Sequence, residues 1–189
     1  MSVSRRTLLR RTGAISVAAV ALNALRAIFP ELGTAKAAST IFTCTASTNI
    51  TYSPGLTTAE QQNISSTGTA TGTCVDMRQP KPSQQVTGFT STFTQQLTNS
   101  SCQDLTSAAQ GTITWQFSDG STAMSKYQAG LITGTIENQA GAAKIVSGQF
   151  KGTTYTITDN GRKEVVGSCN DPQGVTSVAY EDITIAFVQ

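Results

Sequence analysis

Thr112-Ile113-Thr114-Trp115-Gln116-Phe117 alternates hydroxyl or amide side chains with large apolar ones, the period of a strand that buries one face. Asp119-Gly120 follows, a pair that tolerates the positive φ angles of a tight hairpin turn, and a second extended run begins after it. This stretch predicts a hairpin, and it contains the only tryptophan of the chain.

The same period recurs elsewhere. Residues 40–45, with 48–52 as a continuation, read as a first strand that Ser53-Pro54-Gly55 turns back. Residues 57–73 are almost all Thr, Ser, Gly, Ala, Asn and Gln, which suits a shallowly buried strand over 66–74. A loop with Pro80 and Pro82 follows. Residues 86–97 form a strand whose inner face is partly polar, with Phe89, Phe93 and Leu97 interleaved by Ser91 and Gln95. Residues 99–110 read as a polar loop or a single helical turn. Short strands are expected over 131–137, 144–150, 153–158 and 163–166, divided by turns of which Asp159-Asn160-Gly161 is the clearest. Residues 180–188 close the chain with Ile183, Ile185 and Phe187 on one face.

No long segment after residue 37 has a helical repeat. Strands spaced by turn signals predict an all-β domain: a single antiparallel sandwich or an up-and-down β-barrel of about 8–10 short strands. Its core is expected from Ile113, Trp115, Phe117, Ile183, Ile185, Phe187, Phe89 and Phe93.

The first residues read as an address. Ser4-Arg5-Arg6-Thr7-Leu8-Leu9-Arg10 resembles the twin-arginine export consensus, and the uncharged residues 12–25 are too few to span a bilayer, which takes about 20. Ala35-Lys36-Ala37 supplies the small-x-small pattern of a signal peptidase site, with Ala38 as the expected mature N-terminus. The expected organisation is a signal peptide over 1–37 and one all-β domain over 38–189. Six of the 13 Lys and Arg residues and one of the 11 Asp and Glu residues precede position 38, so the mature chain carries seven basic against ten acidic side chains. A weakly acidic domain has no electrostatic footprint for nucleic acid, and nothing after residue 38 predicts a transmembrane segment. The expected destination is the cell envelope or the medium, with the export machinery as one partner and an unknown extracellular or envelope ligand as another.

Cys44, Cys74, Cys102 and Cys169 all follow the cleavage site, an even number in a chain bound for an oxidising compartment. The nearest two are 28 residues apart, unlike the close pairs of a zinc site. Two disulfides are expected. Three pairings exist, and an up-and-down path favours Cys44–Cys74 and Cys102–Cys169, because the ends of antiparallel neighbours meet.

Cys44, the element Thr51-Tyr52-Ser53-Pro54-Gly55-Leu56, the strand Gly111-Thr112-Ile113-Thr114-Trp115 and the turn Ser147-Gly148-Gln149-Phe150-Lys151-Gly152 are together similar to those of a group of small exported actinobacterial proteins. That resemblance implies a β-domain and export; it implies no chemistry.

Histidine is absent, which removes Ser-His-Asp and Cys-His triads and His-ligated zinc or haem. A carboxylate pair remains as the enzymatic alternative, drawn from Asp104, Asp119, Glu137, Asp159, Glu164, Asp171, Glu181 and Asp182. Asp119 and Asp159 sit beside turn glycines, where loop chemistry explains them. Asn170-Asp171 lacks the alternating acids of a calcium loop. Lys144, Lys151, Arg162 and Lys163 read as a solvated strand face. Trp115, Tyr52, Tyr127, Tyr155 and Tyr180 are candidates to line a ligand pocket or a sugar platform, since a barrel of about eight strands can hold one small ligand. Trp115, on an apolar strand face between Ile113 and Phe117, is read as core. No catalytic residue, cofactor or metal is assigned. The leading expectation is a non-enzymatic exported binding or envelope-associated domain, with a small-ligand carrier and a carboxylate hydrolase as alternatives.

Overall fold

A computed structural model describes residues 39–61, 63–158 and 163–189. The strands are β1 (Thr40–Leu56), β2 (Ile64–Asp76), β3 (Val86–Leu97), β4 (Leu105–Phe117), β5 (Thr122–Gly134), β6 (Gln139–Gly148), β7 (Thr154–Thr158), β8 (Lys163–Gly167) and β9 (Val175–Val188). Every neighbour is antiparallel, and β9 returns to pair with β1, so the sheet closes into a barrel. β7 and β8 occupy one position in it. Thr154–Thr158 pairs with Val188 back to Thr184, and Lys163–Gly167 continues along Tyr180 back to Val175. The barrel therefore has eight strand positions, and it is the barrel rather than the sandwich that this chain adopts.

Several expected boundaries move. β1 runs through Ser53-Pro54-Gly55 instead of turning there; its ladder with β9 is irregular between Thr51 and Leu56, so proline, which has no N–H to donate, sits where no regular bond is required. β4 begins at Leu105, inside the expected polar loop, because Leu105, Ser107 and Ala109 alternate into the barrel although only one of them is large and apolar. β5 starts directly after the Asp119-Gly120 turn and ends at Gly134, and β6 covers Gln139–Gly148, so the strands expected over 131–137 and 144–150 are displaced and most strands are longer than short runs. Asp159, Asn160, Gly161 and Arg162 lie outside the described residues, but the flanking β7 and β8 run in one direction along β9 and do not form a hairpin. Residues 1–38, with Arg5, Arg6, Ala35, Ala37 and Ala38, also lie outside them.

One end of the barrel holds both described termini, which exchange hydrogen bonds between Ser39 and Gln189. A plug of aromatic rings fills this end. Trp115, with no exposure, meets Phe42, Phe150 and Phe187 edge-on at centroid distances of 5.3, 5.2 and 5.2 Å. Its indole N–H donates to Ser125 Oγ at 2.8 Å, and Ser125 donates to the carbonyl of Gln149, so the ring is tied to β5 and to the β6–β7 turn. Phe89 and Phe117 are buried beside it, and Phe93, expected in the core, is only half-buried. Beneath the plug, the guanidinium of Arg78 lies 5.3 Å from the Phe150 centroid and chelates the carboxylate of Asp76. Burial alone would push that carboxyl up. Hydrogen bonds from Arg78 and from the backbone N–H of Val86 outweigh it and hold the group below the usual carboxylate range.

The far end is closed differently. Leu56, Ile64, Leu97, Leu105, Ile136 and Val175 are buried there. Four connections are laced together: Cys102 N–H donates to Thr57 O, Gln61 and Ser100 exchange bonds, Ile136 N–H donates to Cys102 O, and the Cys102–Cys169 disulfide joins two of them. Cys44 sits opposite Cys74 in the β1–β2 register and is bonded to it.

Trp115→Ala removes three edge-on ring contacts and a buried hydrogen bond at once. We expect it to lower stability by about 3–5 kcal/mol, read from urea denaturation followed by circular dichroism.

Candidate functional site

Between the two closures the lumen keeps a cavity of about 100 Å³. Its existence follows from residue size. At mid-barrel Ala46, Ala70, Ala129 and Gly141 face the interior, where Leu or Ile would fill it. On β2 the inward positions Gly68 and Gly72 stand opposite Phe93 and Phe89, and those rings lie across them so closely that a Cβ on either glycine would collide with its ring. The two phenylalanines thus fold down against β2 instead of reaching across the lumen.

Most of the lining is aliphatic or aromatic, including Ile50, Ile113, Ile132, Ile183 and Ile185. Neutral polar groups gather at two levels. Nearer the aromatic plug are Ser91, Tyr127 and Tyr155, with the tyrosine rings 5.6 Å apart and edge-on. Burial pushes the Tyr155 phenol well above its ordinary range, and its neighbour Tyr127 adds to this. Burial also raises Tyr127, against hydrogen bonds with Ser91 and Tyr155. Toward the far end, Gln139 Nε2 donates to the Tyr180 hydroxyl at 2.6 Å, which donates to Ile136 O at 3.1 Å. Tyr52 meets the same pair; burial raises its phenol, and bonds with Gln139 and Tyr180 oppose the rise. Ser66 Oγ donates to Gln95 Oε1 at 2.8 Å, and the Gln95 side chain also borders the cavity.

Among the described residues, no Asp, Glu, Lys, Arg or Cys side chain lines the cavity. The tyrosines stay neutral at neutral pH, and the Ser91 hydroxyl is engaged with Thr112 O at 2.9 Å. The arrangement can hold and orient an uncharged molecule. It offers no activated nucleophile and no acid–base pair.

The candidate carboxylates of the hydrolase alternative are not brought to this site. Asp104, Asp119, Glu137, Glu164, Asp171, Glu181 and Asp182 are all exposed on turns or outward strand faces, and Asp159 lies outside the described residues. Asp119 is a turn residue: bonds from Ser121 and Gln84 hold its pKa down to about 2. Among the described residues no three His, Cys, Asp or Glu side chains come together as a metal site would require. Lys144 and Lys151 are exposed, and Lys163 Nζ lies 5.9 Å from the Tyr180 ring centroid. Of the candidate tyrosines, Tyr127, Tyr155 and Tyr180 line the cavity, and Tyr52 adjoins it. Sequence reasoning missed Ser66 and Gln139 as lumen groups, and it missed the Asp76–Arg78 pair. Ser91 and Gln95 had a signal in their phase with Phe89 and Phe93.

A second, more open hollow of about 470 Å³ lies on the outer face over β3, β4 and β5, walled by Thr92, Thr94, Gln110, Thr112, Lys126 and Gln128. Phe93, Tyr127 and Val146 also border it, and it is open to the outer surface. Comparison of the chain with protein-family models, curated proteins and solved structures finds no match.

Tyr52, Tyr127 and Tyr155 all have phenols raised by folding, so each contributes stability that is complete below the unfolded pKa of about 10 and is lost as pH rises beyond it. The melting temperature is therefore expected to hold up to about pH 10 and to fall above it, with tyrosinate absorbance rising together with unfolding; ionisation of all tyrosines in the folded protein would contradict the burial described.

Proposed function

We propose that this chain is an exported, non-enzymatic binding protein whose barrel lumen holds one small, uncharged, mainly apolar molecule. The cavity carries this reading. A void of about 100 Å³ costs roughly 2 kcal/mol when nothing fills it, at about 24 cal/mol per Å³. Replacing one lining alanine by a larger aliphatic residue would remove most of that cost. A hollow between two packed ends, an apolar lining and a few placed neutral polar groups are the usual attributes of a small-molecule site. The exposed carboxylates give the hydrolase alternative no comparable support.

Export is supported by Arg5-Arg6, by the Ala35-Lys36-Ala37 pattern and by two disulfides that suit an oxidising compartment. The twin-arginine route carries folded protein, which is compatible with a barrel that closes, and encloses its ligand, before it leaves the cytoplasm.

Two measurements test these parts separately. Benzene or toluene titrated into the purified protein is expected to raise its melting temperature, approaching about 2.7 kcal/mol of added stability at a hundredfold excess over Kd; no shift with either, together with a bare mass for protein taken from its source, would exclude a lumen ligand. Changing Arg5 and Arg6 to lysine is expected to leave precursor in the cytoplasm, whereas the exported form begins at Ala38 by N-terminal sequencing. Export of the variant at the normal level would exclude the twin-arginine route.

A further inference from the structure

In the lumen, the side-chain amide nitrogen of Gln95 has no protein acceptor among the described residues. Gln95 is 5 % exposed, sits on the inward face of β3 and borders the cavity. Its Oε1 accepts from Ser66 Oγ at 2.8 Å, and Ser66 dictates this orientation. The Ser66 hydroxyl hydrogen has no other acceptor among the described residues, so turning the amide over would let Nε2 donate to Ser66 Oγ but would strand that hydrogen and leave Oε1 unpaired as well. The amide nitrogen is thus directed away from Ser66 into the cavity, with no protein acceptor of its own. Several other polar groups of the lumen are engaged: Ser91 donates to Thr112 O, Thr48 to Thr69 O, Gln139 to the Tyr180 hydroxyl and Tyr180 to Ile136 O.

Resting on the lumen-binding reading above, we infer that the ligand is a small neutral molecule carrying one hydrogen-bond acceptor, a carbonyl or ether oxygen, which Gln95 Nε2 reads. A buried donor left unpaired is costly, and it prefers a ligand that satisfies it over an isostere that cannot. An anionic ligand is disfavoured, because among the described residues no cation lines the cavity to neutralise it. A pure hydrocarbon fits the space and leaves the amide unpaired. The acceptor end is directed to the β2–β3 side of the lumen, and the apolar body lies toward Ile113, Ile183 and Ile185.

Cyclohexanone and methylenecyclohexane have nearly the same shape and differ in a carbonyl oxygen against a CH₂ group. In calorimetric titrations of the purified protein, cyclohexanone is expected to bind about tenfold more tightly, one good hydrogen bond's worth. Gln95→Leu is expected to bring the two affinities together by weakening cyclohexanone, with Trp115 fluorescence reporting that the variant is folded. Because the unaltered protein already ranks the two probes, the test survives a variant that fails to fold. Equal affinities in the unaltered protein, or discrimination that persists in a folded Gln95→Leu variant, overturn the inference while lumen binding stands. Binding of neither probe overturns both.

Discussion

Closure of the sheet between β9 and β1 is the constraint from which the rest of the structure follows. A sheet with a free β1 and a free β9 would expose two long rows of unpaired N–H and C=O groups. Pairing Thr40–Thr51 with Val188 back to Ser177 removes both edges and gives the molecule an inside. The fold accommodates this closure locally. The β1–β9 ladder shifts register at three places, and Asp182 adopts a positive φ of 60° where β9 passes from its β7 partner to its β8 partner.

A closed barrel of eight positions is just wide enough to be filled by side chains or to keep one small cavity. Here both outcomes occur along one axis. Around Trp115 the rings of three strands and one turn pack edge to face, with Phe89 of β3 tilted beside them. One or two residue pairs further along, alanines and glycines take the inward positions and the space opens. The plug and the cavity therefore depend on each other: Phe89 belongs to the aromatic group at the closed end and also walls the lumen. The glycines of β2 matter here because Gly68 and Gly72 let Phe93 and Phe89 lie flat against their neighbouring strand. Side-chain size at a few inward positions decides whether this barrel is a solid or a container.

Polar groups inside such a container are useful only if most are already satisfied. The tyrosines, Gln139 and Ser91 bond to one another or to backbone carbonyls, which keeps them neutral and fixed in direction. A lumen of this kind solvates a guest weakly and selects it by shape and by the few groups left unpaired. Every carboxylate among the described residues except Asp76 faces outward, and Asp76 is bound to Arg78 beneath the plug.

Much of the all-β character was legible from local patterns. The alternation through Ile113, Trp115 and Phe117, the bounds of β3 and its mixed inner face of Phe89, Ser91, Phe93 and Gln95 could all be read from side chains two apart, because that period is a property of a single strand. Segments lacking large apolar residues were harder: the start of β4 at Leu105 and the passage of β1 through Ser53-Pro54-Gly55 depend on a neighbour that supplies the missing hydrogen bonds. The order of turn residues and apolar positions limited this chain to antiparallel sheets with two cross-links, since strand period and hairpin chemistry act over a few residues. Barrel closure, the merging of β7 and β8 into one position, the cavity and the group of Gln95, Ser66 and the tyrosines were decided in three dimensions, because each depends on which strands become neighbours after loops of unrelated sequence have closed.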